Sequence, residues 1–353
     1  MNFALVGCGR ISVKHSELLG NGKINNAKLV AVCDIDEQKA QKVGNKYNVP
    51  YYTDYHKMMQ TEPIDVVSVL TESGNHARDV INLAKYKKHI VVEKPMALTL
   101  DDADDMIRAC AENNCKLFVV KQNRFNQPVV KLRQALEAGR FGKLVMGTIR
   151  VRWCRKQEYY NQDKWRGTWA LDGGVLSNQA SHHIDLLQWM LGDVESVFAK
   201  STTALVNIEA EDTAVAILKF RNGALGIIET TTATRPVDLE GSLSVLGEKG
   251  SVEISGFAVN EVRHWNFTEP IPEDQDIKNK YSVNPPNVYG FGHHAYYQDV
   301  VDAIENNKKS LVEGLDGRKS LELISAIYES IETGKEVFLR FIPQKCKLGI
   351  LKQ

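Results

Sequence analysis

The chain has 353 residues, in which 44 lysines and arginines are balanced by 44 aspartates and glutamates. That length accommodates two domains of about 100–200 residues each, and 43% apolar with 25% charged residues is a globular composition, not a disordered or fibrous one. Charge neutrality excludes the global basic field that draws a protein to nucleic acid, so any anionic partner must be met by a local cluster.

Over the first 120 residues, short β-branched runs at 2–6, 28–33, 66–70, 90–92 and 116–120 read as strands. Between them, segments 10–19, 36–46, 75–86 and 101–112 carry apolar residues near i, i+3, i+4 spacing and read as helices. This alternation predicts a doubly wound parallel sheet with right-handed crossovers. One more helix is expected at 127–138, with turns at Gly139 and Gly142, and the chain then becomes strand-rich. Strands are predicted at 144–154, 194–204, 212–220, 224–233, 240–246 and 250–255, with an amphipathic helix at 175–191. Asn222-Gly223 between two apolar runs marks a hairpin. Successive strands without intervening helices predict a mostly antiparallel sheet. Residues 268–290 hold four of the ten prolines and are read as a loop. Helices at 291–305 and 315–333 follow, the second expected to pack back on the first domain. The fold class is therefore α/β, divided at 1–122 and 123–353. The stretch beyond 339, with Pro343 and a basic tail, carries no readable pattern.

Cysteines at 8, 33, 110, 115, 154 and 346 form no C-x-x-C pair, so reduced thiols and no metal site are expected. No apolar run reaches the roughly 18 residues that cross a bilayer. Phe3-Ala4-Leu5-Val6 is too short for a signal core and lacks a basic lead. A cytoplasmic protein without a membrane partner is expected.

The first strand ends in Gly7-Cys8-Gly9-Arg10-Ile11-Ser12. Glycine at 7 permits a sharp turn, and glycine at 9 lets bare backbone approach a pyrophosphate. Arg10 and Ile11 then open a helix whose N-terminus suits that anion. Ser12 stands where a third glycine or alanine is usual. A lone G-x-G also occurs at plain strand-to-helix turns, but here the second strand ends at Cys33-Asp34, about 20 residues on. A carboxylate there binds adenosine ribose hydroxyls and repels a 2′-phosphate, which favours NAD over NADP. Asp34 could otherwise be a turn residue or the cap of the next helix.

The strand at 90–92 runs into Glu93-Lys94-Pro95, at the carboxyl end of a parallel strand, where ligands bind in such sheets. Lysine beside a nicotinamide can hydrogen-bond a reacting hydroxyl and favour its alkoxide-like form. A second constellation follows Asp172-Gly173-Gly174. If a helix begins after the glycines, Asn178, His182 and Asp185 fall at i, i+4 and i+7 on one face, and His183 points elsewhere. Histidine has the right pKa to take the hydroxyl proton.

Gly7-x-Gly9, Glu93-Lys94-Pro95 and Gly173-Gly174 through His182-x-x-Asp185 together resemble the Gfo/Idh/MocA oxidoreductases. Residues 71–76 and 314–335 extend the likeness over nearly the whole chain. The resemblance implies a Rossmann domain joined to an open α/β domain whose sheet often makes oligomer contacts. It also implies that Lys94 and His182 act together at the hydroxyl being oxidised. Thr71, Asn75 and His76 would line the cofactor cleft with Glu93, and Trp165-Arg166 matches a place that touches cofactor or substrate. Asn178 departs from the family's usual aspartate; an amide can position a hydroxyl but cannot accept its proton, which leaves His182 as the leading base.

Residues 150–168 carry Arg150, Arg152, Arg155, Lys156, Lys164 and Arg166 against Glu158 and Asp163, interleaved with Trp153, Tyr159, Tyr160 and Trp165. Part of this cluster is expected to be the solvated face of an edge strand, with Arg150 and Arg152 on one side. The excess of arginine also suits an anionic substrate. The wording of 151–169, with Ser177-Asn178-Gln179-Ala180-Ser181-His182-His183, resembles the family branch that oxidises UDP-N-acetylglucosaminuronic acid at C3 for bacterial surface polysaccharides. That branch implies NAD recycled in place by a 2-oxo acid, a tetramer, and a 3-keto product passed to a PLP-dependent aminotransferase. Lys94, Arg152, Tyr160, Asn178 and His182 are the expected substrate contacts. The alternatives are a dehydrogenase of another sugar or polyol, such as inositol or a hexose, and a non-catalytic NAD-binding regulator.

Overall fold

The structure, a computed structural model, describes residues 1–283, 285 and 290–339. The expected basic tail with Pro343 lies outside the described residues. The first half runs β1 (Asn2–Val6), α1 (Ser12–Gly20), β2 (Lys28–Cys33), α2 (Glu37–Tyr47), β3 (Tyr51–Tyr52) and α3 (Tyr55–Thr61). It continues β4 (Val66–Val69), α4 (His76–Ala84), β5 (His89–Val92), α5 (Leu100–Glu112) and β6 (Leu117–Val119). All six strands are parallel, in the order β3-β2-β1-β4-β5-β6. Every residue of β4 is buried, because helices cover both faces of the sheet. The strand order reverses between β1 and β4, and that switch point opens a crevice at their carboxyl ends. The sequence pattern does not announce β3 and α3. Two and seven residues are too few to show a period, although Asp54 caps α3 by accepting the His56 N–H at 2.8 Å.

The second half runs α6 (Gln127–Glu137), β7 (Leu144–Arg152), α7 (Gln157–Tyr160), α8 (Ser181–Leu191), β8 (Val194–Thr202), β9 (Thr213–Phe220) and β10 (Leu225–Thr231). It ends with β11 (Glu240–Gly247), β12 (Gly250–Ser255), β13 (Glu261–Phe267), α9 (Ile277–Tyr281), α10 (Gly292–Glu305), α11 (Gly314–Thr333) and β14 (Val337–Phe338). The eight strands lie in the order β13-β12-β11-β7-β10-β9-β8-β14, and only the β7–β10 pair is parallel. The Asn222-Gly223 hairpin joins β9 to β10, with Gly223 at a φ of 89° that glycine alone adopts freely. One face of this sheet packs against α6, α8 and α11 through Leu132, Ile184, Leu187, Leu323 and Ile327. The other face presents Phe198, Val215, Ile217, Leu225 and Ile227 to the exterior.

Three expectations need correction here. First, β7 lies inside the sheet between β11 and β10 and is no edge strand. Second, the segment read as a loop contains α9, whose Ile277 is buried in the core; residues 284 and 286–289 of that segment lie outside the described residues. Third, β13 was hidden because its register with β12 shifts, leaving Arg263 and His264 both exposed and breaking the two-residue period.

The last two long helices join the halves. Tyr296 and Tyr297 of α10 are fully buried against the first sheet with Phe3, Leu5 and Phe118. The N-terminal part of α11 packs on α5 and β6, and its C-terminal part on α8 and β8.

Candidate active site

β1 ends in the glycine loop. Gly7 has a φ of 102°, and a Cβ there would stand 2.6 Å from the Leu70 carbonyl, so only glycine lets the chain turn beside β4. A Cβ at Gly9 would meet nothing within 4 Å, which leaves bare backbone facing open space. Ser12 fills the third position without loss: its hydroxyl donates to the Gly9 carbonyl at 2.6 Å. Asp34 braces the same loop, accepting the Cys8 N–H at 2.7 Å and the Asp36 N–H at 2.8 Å. Each carboxylate oxygen keeps a second lone pair for a ribose hydroxyl. Glycine cradle, helix N-terminus and acidic strand end thus fit a dinucleotide.

Lys94 leaves the end of β5 at a cis Lys94-Pro95 peptide. Its amide donates to Glu93 Oε2 at 2.9 Å, and Glu93 Oε1 meets His15 Nε2 at 2.9 Å. His15 Nδ1 contacts the Tyr297 hydroxyl at 2.5 Å, which also meets Ser68 Oγ at 3.0 Å. Burial pushes the Glu93 carboxyl up, but His15, His293 and Lys94 outweigh it and bring its pKa to about 2. Glu93, His15 and His293 offer ligand atoms within 4.8 Å of one another. Within this cluster His15 and Glu93 are hydrogen-bonded to each other, and His293 meets the His15 ring edge-on at 5.5 Å. His76 lies between the Thr71 carbonyl (3.0 Å) and the Pro95 carbonyl (2.8 Å); burial lowers its pKa, and the neutral ring donates to one of the two. It packs between the two loops.

The helix expected at 175–191 is divided. Val175–Gln179 forms a π-turn, in which the Ala180 N–H bonds the Val175 carbonyl at 2.8 Å, and α8 starts only at Ser181. Glu211 holds this turn open: its carbonyl accepts the Val175 N–H, and its Oε1 accepts the Leu176 N–H and the Tyr328 hydroxyl. Burial pushes the Glu211 carboxyl up to about 7. π-turns recur at functional sites because they redirect side chains. Here the turn aims Asn178 at Lys94, whose Nζ donates to the Asn178 carbonyl at 2.7 Å and to Oδ1 at 3.3 Å.

His182 and Asn178 both line the cleft, but Asp185 does not share their face. It is buried in a bidentate pair with Arg124 (2.8 and 2.9 Å), with Lys121 Nζ at 3.6 Å. Burial lowers the His182 pKa well below its ordinary value, and Lys94 and Lys121 lower it further, so its imidazole is neutral near pH 7. Burial likewise lowers Lys94, while Glu93 and Asp172 oppose that shift.

One cleft of about 760 Å³ unites these groups. It runs from Asp34 past Gly7, Gly9, Arg10 and Ile11 to Thr71, Asn75, His76, Glu93 and Lys94. It continues over Asn178 and His182 to Trp165 and Arg166. Two expected substrate contacts are elsewhere. Arg152 sits on the outer face of β7 and pairs with Glu229 at 2.6 Å, and Tyr160 is buried with its hydroxyl 3.0 Å from Thr232 Oγ1. Their sequence neighbours Trp153, Arg155 and Tyr159 line the cleft instead. Strand alternation turned Arg152 outward, and in the α7 turn the Tyr159 and Tyr160 rings meet edge-on at 5.1 Å, the first lining the cleft and the second buried behind it. Gln122, just beyond the carboxyl end of β6, could have been found by the strand-end rule. His293, brought in by α10, has no local signal.

Asp34 yields a direct test. Asp34→Ser is expected to raise the ratio of kcat/KM for NADP over NAD by about tenfold, the equivalent of about 1.4 kcal/mol of removed repulsion. An unchanged ratio would place the adenosine ribose elsewhere.

A parallel six-stranded sheet with a glycine cradle, facing a lysine and a neutral histidine across one cleft, defines a nicotinamide-dependent oxidoreductase. Residues 1–121 match the NAD-binding Rossmann fold model of the Gfo/Idh/MocA oxidoreductase family, and residues 133–339 match its C-terminal α/β domain. The chain belongs to that family. It is similar to the WlbA dehydrogenase of Bordetella pertussis, solved with NADH and UDP-GlcNAcA, at 40% identity and a TM-score of 0.88, covering 97% of this chain and 99% of that one. The WlbA dehydrogenase of Chromobacterium violaceum, solved with the same two ligands, gives 41%, 0.90 and 97% of each chain. Myo-inositol 2-dehydrogenase of Thermotoga maritima is 29% identical over 349 residues, 96% of this chain and 98% of its own. The protein is an NAD-dependent dehydrogenase acting on a sugar or polyol hydroxyl.

Proposed function

We propose that the protein oxidises the C3 hydroxyl of UDP-N-acetylglucosaminuronic acid to the 3-keto sugar. The carrying observation is the wall of the cleft beyond Lys94. Arg155 stacks over Trp153 and Tyr159 at 5.2 and 5.6 Å, and Arg166 over Tyr159 and Trp165 at 4.6 Å each. Arg10 lines the same wall, 6.0 Å from the Tyr159 ring centre, and makes no ion pair among the described residues. Arginines backed by aromatic faces suit a ligand bearing carboxylate and diphosphate. The 40–41% identity to two proteins solved with UDP-GlcNAcA supports the same reading. Arg155 and Arg166 are partly neutralised by Asp238 at 2.8 Å and Asp163 at 2.9 Å, whereas Arg10 would be left unused by a neutral polyol, the substrate class of the inositol relative.

NAD bound along the glycine loop supplies the hydride acceptor. His182, neutral in its buried setting, takes the hydroxyl proton. The Lys94 ammonium donates a hydrogen bond to the same oxygen and stabilises the charge that develops as the proton leaves. Asn178 keeps Lys94 in place. The apolar outer face of the eight-stranded sheet, bordered by the Arg152, Glu229 and Glu240 cluster at 2.6–3.7 Å, suits a second copy of the chain, in line with a tetramer. The product fits a cytoplasmic pathway in which an aminotransferase takes the ketone. Residues 1–122 form the cofactor domain and 123–353 the substrate domain in this scheme.

The test is product formation from UDP-N-acetylglucosaminuronate, UDP-N-acetylglucosamine and myo-inositol in the presence of a 2-oxo acid. It is followed by mass spectrometry, because bound NADH reoxidised in place leaves no free NADH. The uronate alone should yield ketone at a substantial rate. Equal turnover of the uncharged-sugar nucleotide, or preference for inositol, contradicts the assignment.

A further inference from the structure

Behind Lys94 stands Asp172, the residue before Gly173-Gly174, to which the sequence pattern assigns no role. The Asn178 amide that accepts from Lys94 through Oδ1 donates through Nδ2 to Asp172 Oδ1. Its orientation is fixed by chemistry: an ammonium only donates and an ionised carboxylate only accepts. The other Asp172 oxygen accepts the Gly167 N–H at 2.8 Å. Gly167 directly follows Trp165-Arg166, which line the cleft. Asp172 is 1% exposed and does not itself line the cleft.

We propose that Asp172 is a positioning residue for the oxidation. Through the Asn178 amide it is the negative end of a relay that aims Lys94 and keeps it charged. Through Gly167 it ties that relay to the wall bearing Trp165 and Arg166. The inference rests on the reading of Lys94 as the cation at the reacting oxygen. The groups that face Lys94 are Glu93 beside it in sequence, Lys121 beyond the end of β6, Asn178 and His182 from the second half, Asp172 behind Asn178, and Arg166 opposite. Asp172 and Glu93 favour its ammonium and Arg166 disfavours it. Loss of the Asp172 charge therefore lowers the Lys94 pKa, and activity that needs the ammonium disappears at a lower pH.

Asp172→Asn separates this role from simple packing. An amide at 172 that still accepts from Gly167 must turn its NH2 toward Asn178. The Asn178 amide then flips and presents its own NH2 to the ammonium, donor against donor. Expected are a fall in kcat of about 30-fold or more, an alkaline limb of the kcat/KM profile displaced downward by about one pH unit, and NAD affinity within about twofold of the parent. The double variant Asp172→Asn/Asn178→Asp moves the charge one step along the relay, and every donor again meets an acceptor. It should recover most of the lost kcat and return the limb. An unmoved limb in Asp172→Asn, or a double variant no better than the single, overturns the proposal. If Asp172→Asn does not fold, the double variant and Asn178→Ala carry the test: the alkaline limb of Asn178→Ala should fall as well, and an unmoved one overturns the relay. Turnover surviving Lys94→Met would instead remove the reading beneath it.

Discussion

Lys94→Met is expected to lower kcat by about 10³-fold or more, the scale of removing a preorganised donor to a developing oxyanion. NAD affinity, measured by fluorescence titration, should stay within about twofold. Methionine fills the same channel beside Asn178 but offers no proton and no charge. Oxidation cannot proceed easily once the hydroxyl oxygen becomes negative without a partner. His182→Ala should show a loss of similar kind with rescue toward high pH, where solvent base substitutes. Retention of more than about a tenth of the parent kcat in Lys94→Met would end the assignment of Lys94 to the reacting oxygen.

The second large effect is on stability. Asp185 lies among Arg124 and Lys121 with all three side chains 3–6% exposed. Asp185→Ala leaves two cations buried with, among the described residues, only Asp316, 3.9 Å from Arg124, as a remaining counter-ion. Stripping one partner from a buried ion pair costs about 3–5 kcal/mol, because the surviving charge keeps its desolvation penalty. A denaturant midpoint should register that loss, and a change under about 1 kcal/mol would show that the cations find water. Burial pushes the Asp185 carboxyl up, but Arg124 and Lys121 outweigh it and its pKa ends below the ordinary 3.8. The sign follows: the stabilisation is present above the ordinary carboxyl range and disappears as pH falls through the depressed value. Asp185→Ala should therefore show less acid sensitivity than the parent.

Much of the fold was legible because its signals are local. Buried parallel strands read as apolar runs, the glycine turn sits between strand and helix, and Lys94 follows a strand end. The same holds for Asp34 and His182. What escaped was fixed by tertiary contacts. The π-turn depends on Glu211, which sits over 30 residues away from Leu176, and no helical period can show that. The choice of Arg155 over Arg152 and Tyr159 over Tyr160 turns on which side of β7 and α7 faces the cleft. Composition marked the segment, but only the fold could say which of its residues point inward.

Tyr296 and Tyr297 give the order of synthesis a consequence. Strands β1, β4 and β6 are all made by residue 119, yet the lid over Phe3, Leu5 and Phe118 arrives with α10, whose Val300 and Val301 complete that layer. Leu18 and Leu19 of α1 cover part of that layer, but the remainder leaves the ribosome bare and stays so until roughly 180 further residues have emerged, about ten seconds or more at ordinary elongation rates. During that interval the chain exposes aromatic surface that a nascent-chain chaperone would grip. A fragment cut near residue 122 would keep that exposure for good.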